Sequence, residues 1–508
     1  MVVVGLDVGT TSIKIVVLDP AQTLYAPVWA AEEQHEAYTI HSSERAEQDP
    51  SVLLGVAVNL LRSVPETLAA RVDRIALTGQ MHGVVLWSQQ NANAAANQTP
   101  NLKDSSLLPV SPLITWEDGR CSSAFLADLH KQATSQMQLS SGYGVASLAW
   151  LAKNNPDILS KATACGTIMD FVACSICEDA QPCMTPTNAA SFGAFDAAQS
   201  CWQQPYIEEV AGIRFDLLPR IVSSGTRVGR LKSGILQADR TTEVQVLAAE
   251  GDHPCSVYAA LNIIARPSSS VPAVQPSHSV PQAILNMGTS SQVAIVVPRS
   301  GLPADLKLNP SVEIRPYFAP ELCMIVLASQ TGGNALAALV TAFSRCTTEL
   351  SDDAGAISSD AAFSKLIEKG CSLVKQTDRP PSISFRPTFY GERADTAMRG
   401  QIANIGLDAS GELDFSFVGL FVAACRDLML HLATMLDQLV GDTIAESSPT
   451  LLHRLGIQNL IATGRAIQRN PLLQHFASAA FRVPVRVLPL DSRADSALGV
   501  ALLALPTV

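Results

Sequence analysis

The chain has 508 residues, of which 47% are hydrophobic and only 16% charged, a balance that suits about two to four compact globular domains with large cores. Its net charge of −11 at pH 7, without a run of Lys or Arg, argues against nucleic acid or an anionic membrane as the main partner. Eleven cysteines follow no framework pattern, no basic flank or signal peptide follows Met1, and no apolar run looks long enough to span a membrane, so a reducing, cytoplasmic setting is expected.

Residues 2–19, Val-Val-Val-Gly-Leu-Asp-Val-Gly-Thr-Thr-Ser-Ile-Lys-Ile-Val-Val-Leu-Asp, read as two β-branched strands around a small hydroxyl-rich turn. Gly9 allows a tight turn in which successive N–H groups face an anion, and Thr10, Thr11 and Ser12 add hydroxyl donors. Asp7 ends the first strand, where a carboxylate suits the water shell of a phosphate-bound Mg²⁺, and Lys14 adds a charge. A plain hairpin is the competing reading of one Gly-Thr-Thr. A second copy at residues 283–297 weakens it, because Gly288, Thr289 and Ser291 repeat the same strand, turn and strand.

An amphipathic helix is expected over 50–63 and a strand over 74–78, running into Gly79-Gln80-Met81-His82-Gly83. Strands followed by helices at this spacing argue for an α/β architecture, in which polar turns at strand ends are the usual ligand positions. His82 suits a sugar hydroxyl or a satisfied core position equally well. Residues 88–111 lack periodicity and read as a dispensable surface insertion. Trp116-Glu117-Asp118-Gly119-Arg120 follows a further strand, and its Asp118 and Arg120 serve either a buried ion pair or a ligand. Tyr143 between two glycines, ahead of a helix containing Trp150, suits a wall of a small polar pocket. Cys174 and Cys177 form a CxxC near Cys165 and Cys183, read as core thiols ahead of a zinc site. The sequon at Asn97 is idle in a cytosolic protein.

Glu250-Gly251-Asp252-His253-Pro254 joins a strand over 243–249 to a helix, with Pro254 tolerated near the helix start. Asp252 there is either an N-cap or a carboxylate that takes a proton from a hydroxyl attacking phosphorus. The Pro/Ser-rich stretch 265–282 marks a boundary between domains at 1–264 and 283–508. Beyond it, Gly332-Gly333 before a helix and Gly464 after a strand are candidates for close approach to a nucleotide. A long apolar helix over 417–440 and a last helix near Asp495 complete the chain.

Taken in order, Gly-Leu-Asp-Val-Gly-Thr-Thr-Ser, Gly-Gln-Met-His-Gly, Thr-Trp-Glu-Asp-Gly-Arg, Gly-Asp-His, Gly-Thr-Ser-Ser and Gly391-Glu392-Arg393 resemble the FGGY carbohydrate kinases across nearly the whole chain. That resemblance implies an α/β fold of two ribonuclease-H-like (actin-like ATPase) domains with a nucleotide and sugar cleft between them. It implies Asp252 as general base, Asp7 as the Mg²⁺-linked acid, and Met81, His82 and Asp252 on the sugar. ATP phosphates would meet Thr10, Thr11 and Thr289, with Gly333 and Gly464 beside the adenosine. Xylulose-specific relatives carry a Lys before the helix Trp that Ala146-Ser147-Leu148-Ala149-Trp150 lacks, so the expected substrate is a longer ketose, sedoheptulose first, with Tyr143 and Ser147 at the end of its pocket. Xylulose, ribulose or glycerol, and an actin-like or chaperone-like nucleotide switch, are the alternatives. Oligomeric state is left open, a homodimer included.

Overall fold

The computed structural model describes residues 1–23, 26–42, 44–89, 107–131, 139–238, 242–264, 281–350, 358–376, 382–392, 395, 397–407, 411, 413, 415–441, 448–490, 492 and 494–505. Residues 90–106 of the expected insertion, Asn97 among them, residues 265–280 of the Pro/Ser-rich break, and Arg393 lie outside this set. Two compact units result, one of Met1–Arg266, Pro316–Pro320 and Arg493–Val508, the other of Pro267–Arg315 and Glu321–Ser492. The expected second domain, 283–508, is thereby corrected at its end. The last helix packs in the first unit, where a Cβ on Gly5 would sit 2.1 Å from the Ala497 carbonyl oxygen, so only glycine permits this approach of helix to strand.

The first unit is built on β1 (Val2–Val8), β2 (Ser12–Leu18), β3 (Trp29–Gln34), β4 (Val72–Gly79), β5 (Val85–Gln89), β6 (Leu107–Pro109), β7 (Arg227–Arg230), β8 (Gln245–Leu247) and β9 (Glu250–Gly251). Its main helices are α1 (Pro50–Arg62), α2 (Gly144–Asn154), α3 (Ile168–Ile176), α4 (Pro186–Phe192) and α5 (Asp252–Ile264). The strand expected over 243–249 is the shorter β8, and β9 follows after Ala248-Ala249. In the second unit lie β10 (Gln282–Met287), β11 (Ser291–Pro298), β12 (Val312–Pro316), β13 (Leu322–Ser329), β14 (Leu460–Thr463) and β15 (Val485–Val487), with α6 (Gly333–Leu350) and α7 (Phe417–Asp437). The last helix is α8 (Ser496–Leu503), capped by the Asp495 carboxylate on Leu498 N–H.

Both large sheets repeat one pattern. In the first the order is β7-β8-β4-β1-β2-β3, with β9 also on β4, and in the second β12-β13-β11-β10-β14-β15. The stretch β3-β2-β1-β4-β8 runs antiparallel, antiparallel, parallel, parallel, and β13-β11-β10-β14-β15 does the same. The repeated Gly-Thr turn of the sequence is therefore the visible tip of a repeated sheet. Every residue of β1 is buried, which explains its near-continuous apolar run: both faces of this strand are covered.

In the second core α7 is central, with Leu420 to Cys425, Leu428, Met429, Leu432 and Leu436 buried. Its 21 residues are long and apolar enough to cross a membrane, contrary to the expectation that no run would be, yet its buried face belongs to this core. Cys174, Cys177 and Cys183 are packed into or against apolar clusters, and burial pushes the Cys177 and Cys183 thiols up to about 12. All eleven cysteines are free.

The expected insertion is also corrected at its edges. Residues 88–89 belong to β5, and 107–109 form β6 paired to it, with Gln89 opposite Leu107 and Trp87 opposite Pro109. Buried Ser111 accepts a bond from Leu86 N–H at 2.9 Å. Replacing only 90–106 by a short Gly/Ser linker should leave the thermal midpoint within about 2 °C of the parent, since loop length alone changes stability slowly. Extending the deletion through residue 111 strands the Leu86 N–H and removes Leu107 from the core. Differential scanning fluorimetry should then show a drop of several degrees at least, and equal midpoints for both deletions would contradict the strand pairing.

Candidate active site

Register, set by the hydrogen-bonded ladders, brings the chemistry of the first unit together. β1 and β4 are parallel with Asp7 beside Thr78 and Val8 beside Gly79, while β9 and β4 place Glu250 beside Thr78 and Gly251 beside Gly79. Three parallel strands thus end side by side, and each continues into a polar segment: the 9–11 turn from β1, Gln80-Met81-His82 from β4 and Asp252 from β9. Asp252 is the first residue of α5, where the exposed N–H groups of a helix start favour negative charge, and its Oδ1 accepts from His253 N–H at 2.7 Å.

Asp7 is buried, and its Oδ2 accepts from the Ser496 hydroxyl at 2.6 Å. Oδ1 has no hydrogen-bond partner among the described residues. Burial pushes the carboxyl up to about 6, against the pull of Ser496 and of Lys14, its cross-strand neighbour. A desolvated carboxylate with one unmatched oxygen is relieved by a cation, so Asp7 fits a hydrated Mg²⁺. Ser496 escaped sequence reading because it lies 489 residues away, and only the fold of the last helix reveals it.

His82 adopts a left-handed backbone with φ 74°, an uncommon state for a residue with a side chain. Its Nδ1 lies 2.8 Å from the Ser191 carbonyl oxygen at the end of α4, and its ring stacks on Tyr143 at 4.6 Å. Since a carbonyl only accepts, Nδ1 carries a proton and donates it to Ser191 O. Ser147 is fully enclosed within α2, and Met81 and Tyr143 are nearly so, Met81 being packed against Gly251. Asp118 and Arg120 form a buried ion pair that also engages Glu47, with Arg120 Nε 2.6 Å from Asp118 Oδ1 and Nη2 2.7 Å from Glu47 Oε1. That is the structural reading of the two left open by sequence.

Sequence reading also missed how Glu250 anchors the strand that carries Asp252. Its Oε2 accepts from Thr185 and Thr187 hydroxyls at 2.9 and 2.6 Å, and Asn188 Nδ2 donates to Ala249 O at 3.0 Å. The signal lay in the run Thr185-Pro186-Thr187-Asn188, two hydroxyls and an amide around a helix-starting Pro.

In the second unit Gly288 and Thr289 form the turn between β10 and β11, and Gly333 N–H donates to Gly288 O at 2.9 Å while Asn334 N–H donates to Thr289 O at 3.0 Å. Gly332 and Gly333 therefore lie against this turn. Gly464 follows β14 with φ 99°, and a Cβ there would be 2.3 Å from Met287 O, so glycine is required twice over. Arg465 after it is exposed. The Gly391-Glu392 motif is structural: Glu392 is buried and accepts from Ser329 Oγ at 2.6 Å, Gln330 N–H at 3.1 Å and His431 Nε2 at 3.0 Å.

With a repeated sheet, two hydroxyl-bearing hairpins and two carboxylates at neighbouring strand ends, the chain belongs to the FGGY family of carbohydrate kinases, whose N-terminal domain matches residues 2–258. Its fold is the two-domain actin-like ATPase fold of those kinases, and it is an ATP-dependent sugar kinase. It is 30% identical to the sedoheptulokinase of Homo sapiens and 29% to that of Mus musculus, each over 99% of this chain and 97% of the relative. Among solved structures it is similar to a xyloylose kinase from Brucella ovis, at TM-score 0.73 and 20% identity, over 99% of this chain and 90% of that one.

Burial, opposed by the Thr187, Ser224 and Thr185 hydroxyls, raises the Glu250 carboxyl from 4.5 to about 7. The folded state therefore holds this proton more tightly, and the associated stability is fully present below pH 4.5 and lost as pH rises through 7. Glu250→Gln keeps an acceptor for the hydroxyls and removes the titration. Relative to the parent, the variant should gain up to about 3 kcal/mol between pH 5 and pH 8 in denaturant unfolding. A difference independent of pH would contradict the assignment.

Proposed function

We propose that this kinase transfers the γ-phosphoryl group of ATP to the terminal hydroxyl of a ketose, with sedoheptulose as its preferred substrate and the 7-phosphate as product. The observation that carries the reaction is the shared ending of β1, β4 and β9, which groups Asp7, the Gln80-Met81-His82 turn and Asp252. The choice of sugar rests on similarity to sedoheptulokinases along the full length of both chains.

In this mechanism Asp252 accepts the hydroxyl proton as the sugar oxygen forms its bond to the γ-phosphorus and the bond to the ADP oxygen breaks. Asp252 lies in the first turn of α5, where the exposed N–H groups favour an acidic side chain. His82, its Nδ1–H held by Ser191, hydrogen-bonds a sugar hydroxyl through Nε2. In the first unit the N–H groups and hydroxyls of Thr10 and Thr11 would bond phosphate oxygens, with Lys14 adding positive charge, and in the second unit the Thr289 hydroxyl would act likewise, while Gly9 and Gly288 close their hairpins by donating to Ser12 O and Ser290 O. Gly332, Gly333 and Gly464, which pack against the second hairpin, would flank the adenosine. Asp7 would hold Mg²⁺ through water, and the bound ion would offset charge on the phosphate oxygens. Free buried thiols favour a reducing, cytoplasmic location.

The experiment is a comparison of kcat/KM for sedoheptulose, xylulose, ribulose and glycerol in a coupled ADP assay. Sedoheptulose should lead by tenfold or more, on the order of the 1–3 kcal/mol that a matched hydroxyl contributes to discrimination. A pentulose leading by that margin would overturn the sugar assignment and leave the kinase activity standing.

A further inference from the structure

Each of four successive carbonyls of the first hairpin, Val8 to Thr11, accepts a hydrogen bond from a residue outside the hairpin. Val8 O accepts from Gln80 N–H at 3.0 Å and Thr11 O from His35 N–H at 3.2 Å. Gly9 O accepts from His35 Nε2 at 3.1 Å, and Thr10 O from Gln48 Nε2 at 2.8 Å. An anion-binding turn needs its carbonyls held in this way, since a carbonyl rotated toward a phosphate would repel it. Three of these donors belong to His35 and Gln48, residues outside every motif that the sequence singled out.

Gln48 is fully buried and Gln80 nearly so, and Gln80 Nε2 donates to Gln48 Oε1 at 2.9 Å. The orientation of both amides follows from chemistry. Thr10 O only accepts, so the Gln48 amide nitrogen faces it, its oxygen faces Gln80, and Gln80 must present its own nitrogen. Gln80 is at the same time the first residue of the Gln80-Met81-His82 turn. An unbroken path of hydrogen bonds therefore runs from the turn before His82, through two buried amides, to the peptide of the phosphate hairpin.

We propose that Gln48 and Gln80 are positioning residues that fix the peptide planes of the first hairpin for phosphate binding and tie their orientation to the sugar-side turn. This rests on the assignment of that hairpin to ATP phosphates. Gln48→Glu keeps an oxygen for Gln80 and loses the donor to Thr10 O, setting a carboxylate oxygen against a carbonyl. Gln80→Glu offers Gln48 only acceptors. The Gln48 amide then either faces a carboxylate with its own oxygen or flips and turns that oxygen on Thr10, so a change in the sugar-side turn reaches the hairpin.

The test measures KM for ATP, KM for sugar and kcat in the full-length single variants and in the double variant, with thermal midpoints recorded for each. Either single substitution should raise KM for ATP by about three- to tenfold, the loss expected for a buried hydrogen bond, while Gln48→Glu leaves KM for sugar within about twofold. The double variant should be no worse for ATP than the poorer single one, because both act on one path. Should Gln48→Glu fail to fold, Gln80→Glu alone carries the same expectation for ATP. Unchanged KM for ATP in the folded variants, with kcat or thermal midpoint lowered, overturns the proposal, as does a multiplicative effect in the double variant. Gly9→Ala, whose Cβ would lie 2.7 Å from Ser12 O, separates the two levels. If it weakens ATP while the Gln variants do not, only the positioning role fails. If ATP binding survives Gly9→Ala as well, the assignment of the hairpin fails with it.

Discussion

The register of three parallel strands is the constraint on which the first unit depends. Because β4 pairs with β1 on one side and with β9 on the other, Asp7, Thr78 and Glu250 are neighbours across one line, and the three chain segments that follow leave the sheet at the same height. A slip of one residue on either side would turn the alternating side chains to the opposite face and separate the carboxylates from the sugar-side turn. The substantial burial of β1, β4 and β9 enforces that register, since any slip would bring polar side chains into an apolar core.

Much of what fixes the site comes from elsewhere in the chain. Ser496 at the start of the last helix holds Asp7, and Thr185, which precedes α4, and Thr187 within it hold the strand that leads to Asp252. The other end of α4 supplies the Ser191 carbonyl that accepts from His82 Nδ1. One short helix and its cap thus hold both the strand before Asp252 and the His82 ring. In the second unit Glu392 has the comparable task, tying Ser329 and Gln330 to His431 on α7 just ahead of the Gly332-Gly333 turn.

The hairpins, the turn at residues 79–83 and the Asp252 junction were legible in the sequence because local chemistry marks them: β-branched runs, glycine-hydroxyl turns and a Pro near a helix start. The repeated sheet was visible only through its two Gly-Thr tips, since the parallel partners β4 and β14 lie far from them in sequence, and their shared ending, Thr78-Gly79 and Thr463-Gly464, gains meaning only once each is paired to its hairpin. Burial depth was poorly legible. Ser147 reads as a pocket residue from its neighbours, but tertiary packing encloses it, and the apolar edge of the 88–111 stretch gave no hint that 107–109 would form a strand. Long-range partners such as Ser496 and Gln48 leave no local signature, because each is an ordinary polar residue until the fold gives it a neighbour.

The claim that Asp252 is the proton acceptor at these converging strand ends is tested most directly by single-turnover phosphoryl transfer in Asp252→Asn, with ATP binding measured on the same preparation. The change keeps shape and removes the base, so the transfer rate should fall by about 10² to 10⁴ while ATP affinity stays within a few-fold of the parent. Transfer within a few-fold of the parent, with sugar and ATP both bound, would contradict the account.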